Sequence, residues 1–311
     1  MIDLAINAGR GTPIWSDGAA VDAPSLAAAL GRHPEAAPLV VLVHGYRYVP
    51  QKRRLSPHAT LFGMRWCEGL RVHAPVEPVL IGFGWHALGV GRTPLATLRG
   101  AYRRAVPAAG ALAQLFALLA RVAPERPVNV LAHSLGGRVA LLACRASPHA
   151  ALGRFVLMGP AEFREKAQQA IEPHLGSGLE IYNVIAAENR LFDRLFRRIV
   201  APRRRDGVLG EGLGLADPLC ARHWLDLDLD DPRLGALLAE EGISLAPRRA
   251  LVDHWGFYRR EGTLAFYSRL LSGGANWSIP ALRQALARVV LSAPAGKAPA
   301  MDGDNVADPG L

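Results

Sequence analysis

Apolar runs and helical periodicities alternate along most of this chain. Residues 38–43 are β-branched or aliphatic, carry no charge, and end at His44-Gly45. Residues 79–83, 128–132 and 155–159 are further uncharged runs, and 179–185 is a fifth apolar run that carries a single charge, Glu180. Runs apolar on both sides suit strands of a parallel sheet covered on both faces. Helical patterns lie between and after them: the long Ala- and Leu-rich stretch 102–122, then 135–146, 161–172, and 264–271. Leu191, Phe192, Leu195, Phe196 and Ile199 form an apolar stripe at helical spacing after the fifth run. Strands alternating with helices predict βαβ units with right-handed crossovers. The expected fold class is therefore α/β, a mostly parallel central sheet with helices on both faces in a three-layer sandwich.

The pattern weakens at about 199–247, where Arg203-Arg204-Arg205, many glycines and the alternation Trp224-Leu225-Asp226-Leu227-Asp228-Leu229 occur. This stretch reads as a cap-like insertion, with a late strand that turns Leu inward and Asp outward. A calcium loop is the competing reading of the aspartates, but its sixth position is Asp231 instead of Gly and its twelfth is Leu237 instead of Glu. Residues 292–311, rich in Ala, Pro, Gly and Asp, read as a disordered tail. The expected organisation is one domain over 1–291.

Composition narrows the function classes. Half of the 311 residues are hydrophobic, enough for a large core. Three widely spaced cysteines, Cys67, Cys144 and Cys220, argue against a disulfide scaffold or a zinc cluster. The first residues lack the positive start of a secretory signal, and the apolar run 108–120 is interrupted by Gln114 and too short to span a bilayer. The expectation is a soluble, cytoplasmic protein. The net charge of +9 points to anionic partners. All but three of the 36 basic residues are arginines, and Arg194, Arg197, Arg198, Arg203, Arg204 and Arg205 cluster. No nucleic-acid recognition motif accompanies them, so nucleic acid is disfavoured and a solvated helix face is the simpler reading. Peripheral contact of this basic, amphipathic stretch with an anionic membrane remains open.

The most informative segment is Ala132-His133-Ser134-Leu135-Gly136, set between a buried strand and a helix. A strand that turns sharply into a helix strains the backbone at its apex residue and leaves room only for small flanks two positions away. The turn also presents the Ser134 hydroxyl at the carboxyl end of the sheet, facing a helix amino terminus that favours negative charge.

This segment resembles the nucleophile elbow of the α/β-hydrolase superfamily, Gly-x-Ser-x-Gly, with Ala132 in place of the first glycine. The likeness in strand and helix order extends from about residue 39 to 271. It implies Ser134 as nucleophile and an oxyanion hole built from the backbone N–H groups of Tyr46, after the strand ending His44-Gly45, and of Leu135. His44 and His133 read as structural residues. In this fold the order is Ser, acid, His. His254, on a loop before the helical pattern 264–271, is the expected base, with His223 the other candidate. For the acid, Glu188 is the first carboxylate after the run 179–185. Asp193 is the alternative acid and Asp253 the third.

The resemblance implies a serine hydrolase that cleaves an ester or thioester of a small acyl substrate through an acyl-enzyme, without cofactor or metal. No His-Glu-x-x-His, P-loop or dinucleotide-binding glycine motif is present. An acyltransferase using the same residues and a non-catalytic, hydrolase-like binding protein are the alternatives. Oligomeric state is not legible.

Overall fold

A computed structural model describes residues 1–89, 91–202, 206–213 and 218–289. Among the described residues eight strands run in chain order: β1 (Leu4–Ala8), β2 (Pro13–Trp15), β3 (Leu39–Val43), β4 (Val79–Gly84), β5 (Val128–His133), β6 (Leu152–Met158), β7 (Glu180–Ile185) and β8 (Trp224–Asp228). The helices are α1 (Ala23–Leu30), α2 (Cys67–Val72), α3 (Pro94–Val122), α4 (Leu135–Arg145), α5 (Arg164–Ile171), α6 (Arg190–Val200), α7 (Pro218–Ala221), α8 (Pro232–Glu240), α9 (Gly256–Arg259), α10 (Thr263–Ser272) and α11 (Ile279–Arg288). The strands form one sheet in the order β2-β1-β4-β3-β5-β6-β7-β8. Only β2 is antiparallel to its neighbour. Helices cover both faces, giving a three-layer α/β sandwich.

The uncharged runs are explained by that double cover. In β3, Leu39, Val41 and Val43 enter the core beneath α1, α3, α4 and α5, while Val40 and Leu42 enter the core beneath α2, α8, α10 and α11. Strands β4 and β5 divide in the same way. Each fully buried aliphatic side chain of this kind contributes about 1.5–3 kcal/mol.

Three expectations shift. The hairpin β1–β2 was not legible as strands, because its segments are short and its edge position asks for little apolar sequence. Helix α3 begins at Pro94 rather than 102, with Thr93 accepting a hydrogen bond from Ala96 N at 3.2 Å as its amino-terminal cap. Its 29 residues are long and apolar enough to cross a membrane, and in this fold its apolar stripe is buried in the core. The proposed cap-like insertion at 199–247 is in part sheet: β8 is a strand of the main sheet, and α8 belongs to the core beside α11. The segment that departs from the α/β alternation instead lies between β7 and β8. In β8 the leucines do turn into the core, but Asp226 is only partly exposed. It accepts hydrogen bonds from Leu213 N, Asn183 Nδ2 and Trp224 Nε1 and so ties that segment to the sheet. Arg203, Arg204, Arg205 and the tail 292–311 lie outside the described residues.

Because β1 and β3 to β8 are parallel, the loops after them share one edge. Ser134, the turn at His44, Trp85, Glu162 and the loop 186–189 all gather there.

Candidate active site

Ser134 occupies the apex between β5 and α4 with φ 56° and ψ −122°, a conformation L residues rarely adopt. Such strain persists only where surrounding bonds over-determine it. Here Ser134 N donates to Met158 O at 3.0 Å, and Ser134 O accepts from Gly137 N at 2.9 Å and Ala161 N at 3.0 Å. The small residues of the motif have specific reasons to be small. A methyl group at Gly136 would lie 2.4 Å from Val43 O, and one at Gly45 would lie 2.9 Å from Ser134 Cβ. The two glycines let the β3 loop and the elbow close on one another. Leu135 is the first residue of α4, where a backbone N–H has no partner within the helix.

His44 closes β3 as a structural residue. Its Nδ1–H donates to Gly45 O at 2.8 Å, its Nε2 accepts from Trp85 N at 2.9 Å, and Trp85 Nε1 donates back to His44 O at 2.9 Å. The rings stack 5.6 Å apart. Burial pushes His44 down to about 3, so it stays neutral. Tyr46 directs its hydroxyl away to Thr97 Oγ1 at 2.8 Å. The 83–86 loop braces this turn through Trp85.

His254 lies against the serine, with Ser134 Oγ–H donating to Nε2 at 2.8 Å. Its Nδ1–H donates to Asn189 Oδ1 at 2.7 Å, which fixes the neutral tautomer whose Nε2 lone pair faces the hydroxyl. Burial pushes His254 down to about 4, the direction that keeps a base unprotonated at neutral pH. Phe192 packs on one side of the imidazole at 4.8 Å and His133 on another at 4.6 Å between ring centroids.

The group behind the histidine is thus Asn189, not the expected Glu188. Glu188 is one residue early. The carboxylate turns under the start of α9, where a methyl on Gly256 would meet its Oε1 at 1.8 Å, and Oε1 has no hydrogen-bond partner. Burial raises its pKa. Asp193, the alternative acid, stands one helical turn on and accepts from Asn189 Nδ2 at 3.0 Å. It reaches the histidine only through that amide. Asp253 accepts from the nearby Trp255 N at 2.8 Å and is used in its own turn. His223 is at the opposite edge of the sheet, hydrogen-bonded to Leu179 O and Leu175 O.

Asn189 and Phe192 had no chemical signature in the sequence beyond their loop position, although Asn189 and Asp193 have the i, i+4 spacing that lets polar pairs meet at a helix start. The stripe on α6 also divides. Phe196 is buried, whereas Leu191 and Leu195 are exposed; Val252 and Trp255, on the loop that carries His254, are exposed as well, and Trp255 meets the Phe192 ring edge-on at 6.5 Å. Among the described residues no group of three or more His, Cys, Asp or Glu could hold a metal ion.

No family model matches the chain, and no curated protein matches it. Among solved structures, the chain is similar to the crystal structure of Aspergillus fumigatus lipase B, at 13% identity and a TM-score of 0.39. The match covers 80% of this chain and 60% of that one. The chain therefore spans less than two thirds of that structure's length.

Proposed function

We propose that this protein is a serine hydrolase that cleaves an ester or thioester through an acyl-enzyme. The observation that carries this reading is the 2.8 Å hydrogen bond from the strained Ser134 hydroxyl to a neutral His254 whose other nitrogen is held by Asn189. His254 takes the hydroxyl proton as Ser134 Oγ attacks the carbonyl carbon. The developing oxyanion is received by the backbone N–H groups of Tyr46 and Leu135, and each such donor contributes about 100- to 1,000-fold in rate. The imidazolium then returns the proton to the leaving group. In the second half-reaction His254 deprotonates water, which attacks the acyl-enzyme. A neutral Asn in the third position orients the imidazole as it does in Cys-His-Asn proteases.

The Phe192 and Trp255 rings against the histidine, with exposed Val252 on its loop and exposed Leu191 and Leu195 on α6, suit an apolar acyl group. With Arg194, Arg197 and Arg198 on the same helix, they also suit peripheral contact with an anionic membrane. Co-sedimentation of the intact protein with anionic but not zwitterionic vesicles tests that contact, and no binding to either discards it.

A fluorophosphonate probe tests the main reading. Labelling of the wild type but not of Ser134→Ala supports it, and no labelling of either favours the non-catalytic alternative. Transfer of the acyl group to an added alcohol in preference to water would reassign the same residues to an acyltransferase.

A further inference from the structure

We infer that Asp193 is a positioning residue for the base, acting at one remove: by accepting the Nδ2–H of Asn189 it holds that amide with its oxygen toward His254. This rests on the hydrolase reading of Ser134 and His254 and adds a fourth member behind them.

An asparagine is ambiguous in this position. Its side chain carries an acceptor on one arm and a donor on the other, and the two differ little in shape. Turned one way, Oδ1 accepts from His254 Nδ1–H and leaves Nε2 free to take the serine proton. Turned the other way, Nδ2 donates to Nδ1 and forces the proton onto Nε2, so the base is lost. The wrong tautomer in a serine triad costs about 10⁴-fold in kcat. An ionised carboxylate can only accept, so Asp193 Oδ1 at 3.0 Å from Asn189 Nδ2 permits only the productive orientation.

The surroundings of Asp193 favour a positioning role over a purely structural one. It is 6% exposed, and its second oxygen, Oδ2, is buried without a hydrogen-bond partner. A buried acceptor left unpaired is costly and calls for a reason. The reason offered here is the amide on its other oxygen. Gly210 allows the arrangement, since a methyl there would lie 2.1 Å from Oδ2.

The arrangement is sensitive to pH. The charged groups around Asp193 are Arg190 and Arg194 on α6, Glu211 in the turn Leu209–Glu211, and Asp228 at the end of β8, which line with it a cavity of about 280 Å³. On α3, which packs against α6, Arg99 donates its Nε to Ile199 O at 2.5 Å. Burial, with Glu211 adding to it, lifts Asp193 to about 7. Once protonated, the carboxyl can donate as well as accept, and Asn189 is free to turn over. The loss of activity on acidification is therefore set by Asp193, well above the range in which His254 itself takes a proton.

The experiment is the rate of fluorophosphonate labelling of the full chain from pH 5 to 9. It compares wild type, Ser134→Ala, Asp193→Asn and the exchange Asn189→Asp/Asp193→Asn, with melting curves to show that each is folded. Asp193→Asn, which can donate to Asn189 Oδ1, is expected to label about 100-fold more slowly at pH 8. The exchange puts an acceptor-only carboxylate on His254 and a donating amide behind it, and is expected to recover to within about tenfold of wild type. Wild type is expected to lose labelling along a one-proton limb near pH 7. Labelling of Asp193→Asn at the wild-type rate with an unchanged profile, or an exchange variant no faster than the single one, overturns the inference while the hydrolase reading stands. An unlabelled wild type overturns both. If Asp193→Asn does not fold, the wild-type profile decides: a limb above pH 6 supports the inference, and a rate that stays flat down to pH 5 overturns it.

Discussion

His133 donates its Nε2–H to the backbone carbonyl of His254 at 3.0 Å, so the residue before the proposed nucleophile holds the loop that carries the proposed base. The ring is fully desolvated, and burial keeps its pKa well below the ordinary value, so it remains a neutral single donor. His133→Phe retains an aromatic ring against Tyr258 and Phe257 but removes the donor. A misplacement of the base by about 1 Å is worth up to about 100-fold. The expected result is labelling or ester hydrolysis slowed by about 10- to 100-fold with little change in melting temperature. Wild-type rates would show that the loop is held by other contacts.

Asn189 and Glu188 are adjacent, yet they predict different outcomes. Asn189→Ala removes the acceptor for His254 Nδ1–H and is expected to lower kcat by about 10³- to 10⁴-fold. Glu188→Gln leaves the histidine untouched and is expected to stay within a few-fold of wild type. Its folded pKa is raised by burial, so the ionised carboxylate costs stability once the pH exceeds the unfolded value. Glu188→Gln should therefore gain melting temperature relative to wild type at pH 8 but not at pH 4. A large kcat loss in Glu188→Gln would return the acid's role to that residue.

The same sign applies more strongly to Asp193. Its pKa rises from an ordinary 3.8 to about 7 on folding, so stability falls as the pH climbs from about 4 to 7 and the cost is complete above that. At about 1.36 kcal/mol per unit, the cost reaches on the order of 4 kcal/mol at pH 8. Asp193→Asn is expected to be more stable than wild type at pH 8 and about equal near pH 4, as read by urea unfolding. A stability difference independent of pH would show that Asp193 has an ordinary pKa in the fold.

Gly136 has no room to grow. A methyl group would lie 2.4 Å from Val43 O and 2.7 Å from His44 O, both backbone atoms that cannot swing aside. Gly136→Ala is expected to lose about 1–3 kcal/mol by overpacking and to push the elbow away from the β3 loop. The check is thermal unfolding together with labelling of Ser134. Unchanged values in both would mean that the two loops are not in contact.

Behind the elbow, Glu162 is fully buried. It accepts from Tyr102 Oη and its own neighbour Phe163 N, and it pairs with Arg138, which also stacks over the Tyr102 ring. Removing one partner strands the other charge, at about 3–5 kcal/mol. Arg138→Met is expected to lower stability by that amount in chemical unfolding. A much smaller loss would mean that the buried pair contributes little to the fold.

The local pattern carried the fold a long way. Predominantly apolar runs at β3, β4, β5, β6 and β7 read as strands buried on both faces, and the helical stripes between them called for a right-handed, layered arrangement. Ser134 was legible because its turn constrains its flanks: Ala132 and Gly136 are small for steric reasons that operate within a few residues. His254 was nominated by loop order, and the hydrogen bond to Ser134 across 120 residues puts it at the serine. The third member was not legible. Chain order points to a carboxylate after β7, and Glu188 meets that description in type. Which of three successive side chains faces the histidine depends on how the turn Ala187–Asn189 leaves β7 and on what already fills the space under Gly256. That space takes Glu188, and Asn189 is left facing His254. Strand and helix periods are properties of a few neighbouring residues, so the sequence by itself determined the layered α/β sheet and the elbow. The partner of the histidine, the division of the α6 stripe into a buried and an exposed half, and the place of β8 in the sheet depend on contacts between segments far apart in the chain, and only the tertiary structure decided them.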